Sequence, residues 1–324
     1  MPEIACPQKC TFCDQRQISG QSVFPDNNEI IQKIESHLAS YTRSDREVEI
    51  AFFGGTFTGL PLKRQENYLS IASKYLINGL IHGIRISTRP DYIDTENLQL
   101  LKHFGVTTIE LGAQSLDDEV LIRCERGHTV MQVEKAATLI KQYGFNLGLQ
   151  MMIGLPDDSF EKSIATAKKI ILLGAKETRI YPCLVIKNTI LAQEFETGIF
   201  KPLNLENAVS LSAELWLLFE KAGVKVIRLG LHRSEELNEG AMIAGPYHIS
   251  FKELVMSHIW KNVFLTGIAD LHSESIHIQV HPKELNFAVG YLAGNKAMLM
   301  KSFQKVRFSG DDSLVGRDFH YTLS

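Results

Sequence analysis

Long hydrophobic runs are missing from this chain: none of its apolar stretches reaches the roughly 18 residues that a membrane-spanning helix needs, and the N-terminus lacks the apolar core of a signal peptide. Cysteine is scarce, with five in 324 residues, odd in number and unevenly spaced. That excludes a secreted disulfide framework and gives no reason to expect a disulfide-linked partner. A dominant charge sign is also missing, since 34 Lys and Arg stand against 37 Asp and Glu for a net charge of -3. The surface as a whole is therefore not built for nonspecific nucleic-acid binding, which leaves only a local basic patch for such contacts. Neither an internal repeat of 20–50 residues nor a low-complexity tract is present. What remains is an ordinary globular composition, 44% hydrophobic and 22% charged, in a chain long enough for one large domain and an appendage. It reads as cytoplasmic.

Short apolar runs alternate with amphipathic stretches over the first two-thirds. Strands are expected at EVEIAFFGG (47–55), GIRISTRPD (83–91), VTTIELGAQS (106–115), FNLGLQMMIGLP (145–156), ETRIYPCLVI (177–186) and VKVIRLGL (224–231). Helical spacing falls between them, around 62–77, from Thr95 to Phe104, Val130 to Tyr143, Ser159 to Leu173, and Leu205 to Ala222. Strands separated by helices of this length imply βαβ units and a parallel sheet. The strands end in glycine- or proline-bearing turns such as FFGGTF, STRPD, LGAQS and IGLPD. In parallel α/β sheets and barrels ligands sit at the C-terminal ends of the strands, so turns that recur in register define one candidate site face.

After Leu231 the pattern changes. SIHIQVHP (275–282) alternates with Ile276, Ile278 and Val280 on one face, helical spacing runs from Leu285 to Phe303, and KVRF (305–308) reads as a strand. The expected organisation is a domain over 1–231 and a small α+β module of βαβ type within 232–324. Lys296, Lys301, Lys305 and Arg307 read as a solvated basic face rather than an RNA-binding loop, because Gly290 and Gly294 are one residue too far apart for a KH-type turn. His277 and His281 share a strand face without a third ligand, so no metal site is expected there.

CPQKCTFC (6–13) holds three of the five cysteines. A zinc finger would need a second ligand pair, and none follows. A thioredoxin-like pair of Cys10 and Cys13 would leave Cys6 idle. Three thiolates suit a [4Fe–4S] cubane in which one iron stays open to a ligand. Cys124 reads as a helix cysteine without a role, and Cys183, within YPC, as a thiol at the barrel mouth.

The C-x3-C-x2-C spacing, with Phe12 just before the last cysteine, resembles the radical S-adenosylmethionine superfamily. The resemblance implies a partial (β/α)6 TIM-like barrel of parallel strands, with the cluster held by Cys6, Cys10 and Cys13 in the loop after a first strand. It further implies that the open iron chelates S-adenosylmethionine. An electron, supplied by a reductant such as flavodoxin or ferredoxin, then breaks the C–S bond and yields a 5′-deoxyadenosyl radical that abstracts a substrate hydrogen. On the same grounds Gly54, Gly55 and Thr56 of GGTFT meet the methionine amino group. Gln114 and Arg126 lie beside the cofactor, with the arginine facing its carboxylate, and Gln150 and the IGLP turn match the segment near ribose and adenine.

STRPDYID, IELGAQSLDDEVL, RGHT and especially RIYPCLVIKNTILAQEFETGIFKP (179–202) resemble the radical domain of the Elongator catalytic subunit and its bacterial relatives over residues 4–231. That branch implies tRNA as a partner and makes Tyr181, Lys187 and Thr189 substrate-side candidates. The chain departs from it in several places. Its cysteines are more closely spaced, Ser87 stands where relatives often carry a glutamate, and GLPD replaces the common GLPG. The chain ends at Ser324 without room for the acetyltransferase domain, so acetyl transfer is not implied. Only five residues precede Cys6, which predicts a truncated or internal start. Two other functions stay open: a radical enzyme for a small molecule, as in oxygen-independent coproporphyrinogen oxidase, and a noncatalytic cluster- or zinc-binding protein.

Overall fold

The computed structural model describes residues 9–14, 23–41, 47–231, 240–268, 271 and 273–324. Cys6 and the first strand expected at residues 1–5 lie outside the described residues. The chain divides into two compact units, Met1–Asn204 with Leu218–Pro246, and Leu205–Leu217 with Tyr247–Ser324.

The first unit opens with helix α1 (Asn27–Ala39) and then alternates: β1 (Glu49–Phe52), α2 (Leu62–Ile77), β2 (Gly83–Thr88), α3 (Thr95–His103), β3 (Thr108–Gln114). Two helices follow, α4 (Asp118–Arg123) and α5 (Val130–Gln142), before β4 (Asn146–Ile153), α6 (Phe160–Leu172) and β5 (Glu177–Pro182). The short β6 (Val185–Ile186) and α7 (Ile190–Glu196) come next, then α8 (Leu205–Lys221), whose residues up to Leu217 belong to the second unit, and β7 (Lys225–Leu229) and β8 (Met242–Ala244) of the first. Six of the strands form one sheet in the order β1-β2-β3-β4-β5-β7, each pair parallel. This is the curled half of a TIM-like barrel, a partial (β/α)6 fold with helices returning the chain between strands. An all-parallel sheet is covered on both faces, and β3 shows the consequence, with all seven residues buried. Asp94, Asp117, Thr129, Ser159 and Thr189 each accept a main-chain N–H at the start of α3, α4, α5, α6 and α7. Such caps are worth about 1 kcal/mol each and fix where the turns end.

Alternation along the strands sends two sets of side chains to opposite faces. Ile84, Ile86, Ile109, Leu111, Leu149 and Met151 are fully buried apolar residues of the central strands. Between them stand charged residues. Arg85 donates to Glu49 through Nε (3.0 Å) and Nη2 (2.7 Å), and Nη2 also reaches Glu177 at 3.1 Å. Glu110 lies 3.5 Å from Arg85 and accepts from Arg179 Nε at 2.5 Å. Three carboxylates and two guanidinium groups thus tie β1, β2, β3 and β5 together.

In the second unit, helix α9 (Phe251–Gly267) and strands β9 (Ser273–Val280), β10 (Phe303–Gly310) and β11 (Phe319–Leu323) enclose a core that includes Trp260, Phe264, Ile276, Ile278 and Phe303. β9 and β10 pair in parallel, joined through α10 (Leu285–Val289) and α11 (Gly294–Leu299), and β11 adds an antiparallel edge. The helical spacing from Leu285 to Phe303 is broken at Gly290, whose φ of 87° suits glycine and where a Cβ would lie 2.7 Å from the Asn295 amide nitrogen. No helix of the described residues is long and apolar enough to cross a membrane.

Candidate active site

A cavity of about 350 Å³ opens at the C-terminal ends of the barrel strands. Cys10, Phe12, Cys13, Gly54, Gly55, Thr56, Gln114, Arg126, Gln150 and Tyr181 all line it, so segments from six separate places in the sequence converge on one space. Its size lies within the range of small-molecule and cofactor sites.

The cysteine loop is a tight turn, in which the Cys13 amide donates to the Cys10 carbonyl at 3.1 Å. It is held from outside through the main chain of Thr11, whose N–H donates to the Cys124 carbonyl at 3.1 Å and whose C=O accepts from the Leu191 amide at 2.9 Å. Phe12 and Cys10 pack into an apolar cluster with Val120, Leu155, Val185 and Leu191. Arg123 on α4 donates to Glu194 on α7 at 2.8 Å, joining the two elements that hold the loop.

Gly54 and Gly55 follow β1 with φ of 85° and 61°, a left-handed pair that residues with a Cβ rarely adopt. The turn is locked on its far side. Thr58 and Thr88 share a hydroxyl hydrogen bond of 2.5 Å, and Gln65 on α2 donates to the Leu60 carbonyl at 2.8 Å and the Thr58 carbonyl at 3.2 Å. Thr56 beside it is 1% exposed, and its hydroxyl has no hydrogen-bond partner among the described residues.

Gln114 ends β3 with a φ of 66°, an unusual conformation for a residue with a side chain, and its Oε1 accepts from Gln150 Nε2 at 3.1 Å. Arg126 is 7% exposed and reaches in from the loop after α4. It donates to the Gly112 carbonyl through Nη2 at 2.7 Å and to Cys10 Sγ through Nη1 at 3.4 Å, while its buried Nε has no partner among the described residues. Gly112 leaves the space for this, because a Cβ there would come within 3.0 Å of Nη2. His128, two residues on, is buried; desolvation first, then the charges of Arg126 and Arg89, push its pKa down to about 3, so the ring is neutral.

On β5, Arg179 lies 4.5 Å over the Phe53 ring and is paired with Glu110. Burial raises the Tyr181 phenol, and the neighbouring Arg179 opposes that shift. Thr189 does not line the cavity: its hydroxyl donates to the Ile186 carbonyl at 2.7 Å and accepts from the Ala192 amide at 3.1 Å, capping α7. Lys187 is exposed and also outside the cavity lining. Cys183 is 1% exposed and part of the apolar cluster, with burial pushing its thiol well up, and Cys124 is pushed to about 12 for the same reason. Neither has the thiolate character of a reactive cysteine.

Sequence reasoning did not single out Phe53, Arg89, Gly112, Met152, Arg179 or Leu231, all of which line the cavity. A signal existed for some of them. Residues two apart share a strand face, so Gln114 points to Gly112, Tyr181 to Arg179, and Gln150 to Met152.

The donors present suit a sulfur-bound cluster with an attached cofactor: Cys10 and Cys13 place two soft sulfur donors in one tight turn, and the Arg126 Nε and Thr56 hydroxyl, without partners among the described residues, are buried polar groups that a ligand in this cavity would satisfy. The third cysteine, Cys6, lies outside the described residues.

Residues 4–170, just over half of the chain, match the Radical SAM superfamily, and residues 175–261 match the Radical_SAM C-terminal domain. The chain is 27% identical over 233 residues to the tRNA uridine(34) acetyltransferase of Dehalococcoides mccartyi, covering 61% of this chain and 50% of that protein. It is 31% identical over 192 residues to Elongator complex protein 3 of Saccharomyces cerevisiae, covering 53% of this chain and 34% of that one. Among solved structures, Methanocaldococcus infernus Elp3 with an N-terminal deletion is similar with a TM-score of 0.65 at 25% identity, over 73% of this chain and 59% of that chain. The chain spans a third to a half of the length of these curated relatives.

Proposed function

Because the chain belongs to the radical SAM superfamily, we propose that it cleaves S-adenosylmethionine reductively at a [4Fe–4S] cluster and directs the resulting hydrogen abstraction at RNA, with tRNA as the substrate class. The observation that carries this is the convergence of Cys10, Cys13, Gly54, Gly55, Gln114, Arg126 and Gln150 on one cavity at the C-terminal ends of the strands. Cys6, Cys10 and Cys13 would hold the cluster. When bound, the cluster and cofactor supply an electron and a carbon–sulfur bond whose cleavage yields a hydrogen-abstracting species.

The chain's own residues bind and orient. The glycine pair lets main-chain carbonyls approach the methionine amino group without a side chain between them. Arg126, held by the Gly112 carbonyl, would offer a charge-assisted contact to the carboxylate; Gln114 would stand beside the cofactor, with its partner Gln150 toward the ribose and adenine. Phe12 and its apolar cluster keep water from the sulfur ligands. On the substrate side stand Tyr181 with Arg179 and Phe53. The substrate class rests on similarity to the Dehalococcoides mccartyi protein, a tRNA uridine(34) acetyltransferase.

The test is anaerobic reconstitution with iron and sulfide, reduction in the presence of S-adenosylmethionine, and assay of 5′-deoxyadenosine with and without bulk tRNA. The expected result is cluster-dependent product that rises with tRNA, together with a salt-sensitive gel shift. Zinc in place of iron, or no product on reduction, removes the radical function. Product that ignores RNA removes only the tRNA part and favours a small-molecule substrate.

A further inference from the structure

Arg126 makes a contact that cofactor recognition alone does not require. Its two terminal nitrogens are both committed, Nη2 to the Gly112 carbonyl at 2.7 Å and Nη1 to Cys10 Sγ at 3.4 Å. Only Nε, buried and without a partner among the described residues, is left over for a ligand. The fork is held where it is by the fold: the Arg126 amide donates to the Leu121 carbonyl at 2.9 Å, and the preceding Glu125 and following Gly127 have φ of 50° and 75°, so the chain makes a sharp left-handed turn around it. Cys10, 5% exposed, is the more deeply buried of the two described ligands. A guanidinium at a buried sulfur is a strong perturbation, because low polarity around the pair leaves the positive charge poorly screened.

We propose that Arg126 is a positioning and tuning residue for the iron–sulfur cluster, donating a charge-assisted hydrogen bond to the Cys10 sulfur and thereby easing the cluster's one-electron reduction. The inference rests on the function proposed above. Hydrogen bonds to ligand sulfurs and nearby positive charge both favour the more negative, reduced state of such a centre and raise its potential. Gly112 belongs to the same device. A Cβ at that position would lie 3.0 Å from Nη2 and 3.2 Å from Gln114 Nε2, so an alanine there displaces the fork from the sulfur without removing the charge.

The experiment is a dithionite titration of the reconstituted full chain, followed by electron paramagnetic resonance without S-adenosylmethionine, for the native protein and the variants Arg126→Gln and Gly112→Ala. Iron and sulfide per chain are measured on each sample. The expected result is a midpoint potential more negative in Arg126→Gln than in the native protein, with a smaller shift of the same sign in Gly112→Ala. An unchanged or more positive midpoint in either variant that carries the full cluster overturns the tuning role while leaving the proposed function intact. If Arg126→Gln fails to load, the comparison passes to Gly112→Ala, which keeps the arginine. A native chain that assembles no iron–sulfide centre removes the proposed function and this inference together.

Discussion

Replacing Glu110 with alanine tests whether the charged residues of the barrel interior act as one unit. Glu110 on β3 is 1% exposed, accepts from Arg179 Nε, and lies 3.5 Å from Arg85. Its loss takes the carboxylate from Arg179, whose side chain is 16% exposed and keeps Tyr181 and the Phe53 ring beside it, and removes one of the carboxylates around Arg85. Breaking a buried pair from one side costs about 3–5 kcal/mol, because the remaining charge stays desolvated. Arg85 retains Glu49 and Glu177, so the low end, about 3 kcal/mol, is expected here. For a domain of this size that corresponds to a fall of about 6–12 °C in Tm.

Thermal unfolding of the cluster-free chain, followed by circular dichroism under reducing conditions, measures the fall. The cycle is completed with Arg179→Met and the double variant. If the pair is a unit, the double variant loses less than the sum of the singles by at least about 1 kcal/mol. A Glu110→Ala protein within 2 °C of native, on the order of the single kcal/mol expected of a solvent-screened pair, would refute the reasoning, as would strict additivity. The same substitution reaches the cavity, because the Arg179 guanidinium lies over Phe53 on its wall.

Four further outcomes are expected. Gly154→Ala destabilises by about 1–3 kcal/mol in urea unfolding, since position 154 has φ of 71° and a Cβ would meet Leu203 Cδ1 at 2.7 Å. Thr189→Ala costs about 1–2 kcal/mol as a lost cap while leaving 5′-deoxyadenosine formed per folded chain unchanged; a loss of product at native stability would instead give Thr189 a substrate role. His128 stays neutral in the fold down to about pH 3, whereas the unfolded chain protonates it near 6.5. Acidification through that window therefore favours unfolding by about 1.4 kcal/mol per pH unit, and His128→Asn flattens the slope of stability against pH. Iodoacetamide at pH 8 modifies the partly exposed Cys13 of the cluster-free chain and spares Cys124 and Cys183 until denaturant is added, as mass spectrometry of the peptides would show.

The six parallel strands and the helices between them were legible because each carries its own periodicity over enough residues to be read alone. Elements whose reason for existing lies elsewhere in the chain were not. The strand expected over 177–186 divides: Glu177–Pro182 stays in the main sheet, and Val185–Ile186 is a separate strand because it pairs with Met242–Ala244, more than fifty positions away. β11 is largely exposed and is a strand because β9 offers it an edge. The break at Gly290 depends on the approach of Asn295, a tertiary fact. Asp157, where GLPD departs from GLPG, has a φ of 59°, a left-handed position that aspartate tolerates better than most residues.

The site divides along the same line. Its turns were legible as motifs, since glycine pairs, clustered thiols and a buried arginine are side-chain chemistry written locally. What holds those motifs together is main-chain chemistry, which a side-chain inventory overlooks. Cys124 looked like a cysteine without a role, yet its carbonyl, independent of its thiol, fixes the amide of Thr11 in the cysteine loop. Gly112 matters for the side chain it lacks and the carbonyl it presents, both to Arg126. Substitutions that respect backbone geometry at 124, such as serine, should therefore leave the loop in place, whereas a side chain at 112 should disturb the arginine without touching a single sulfur. Residue identity and residue position thus answer different questions in this barrel: the first says what chemistry is available, and the second says which groups are brought close enough to use it.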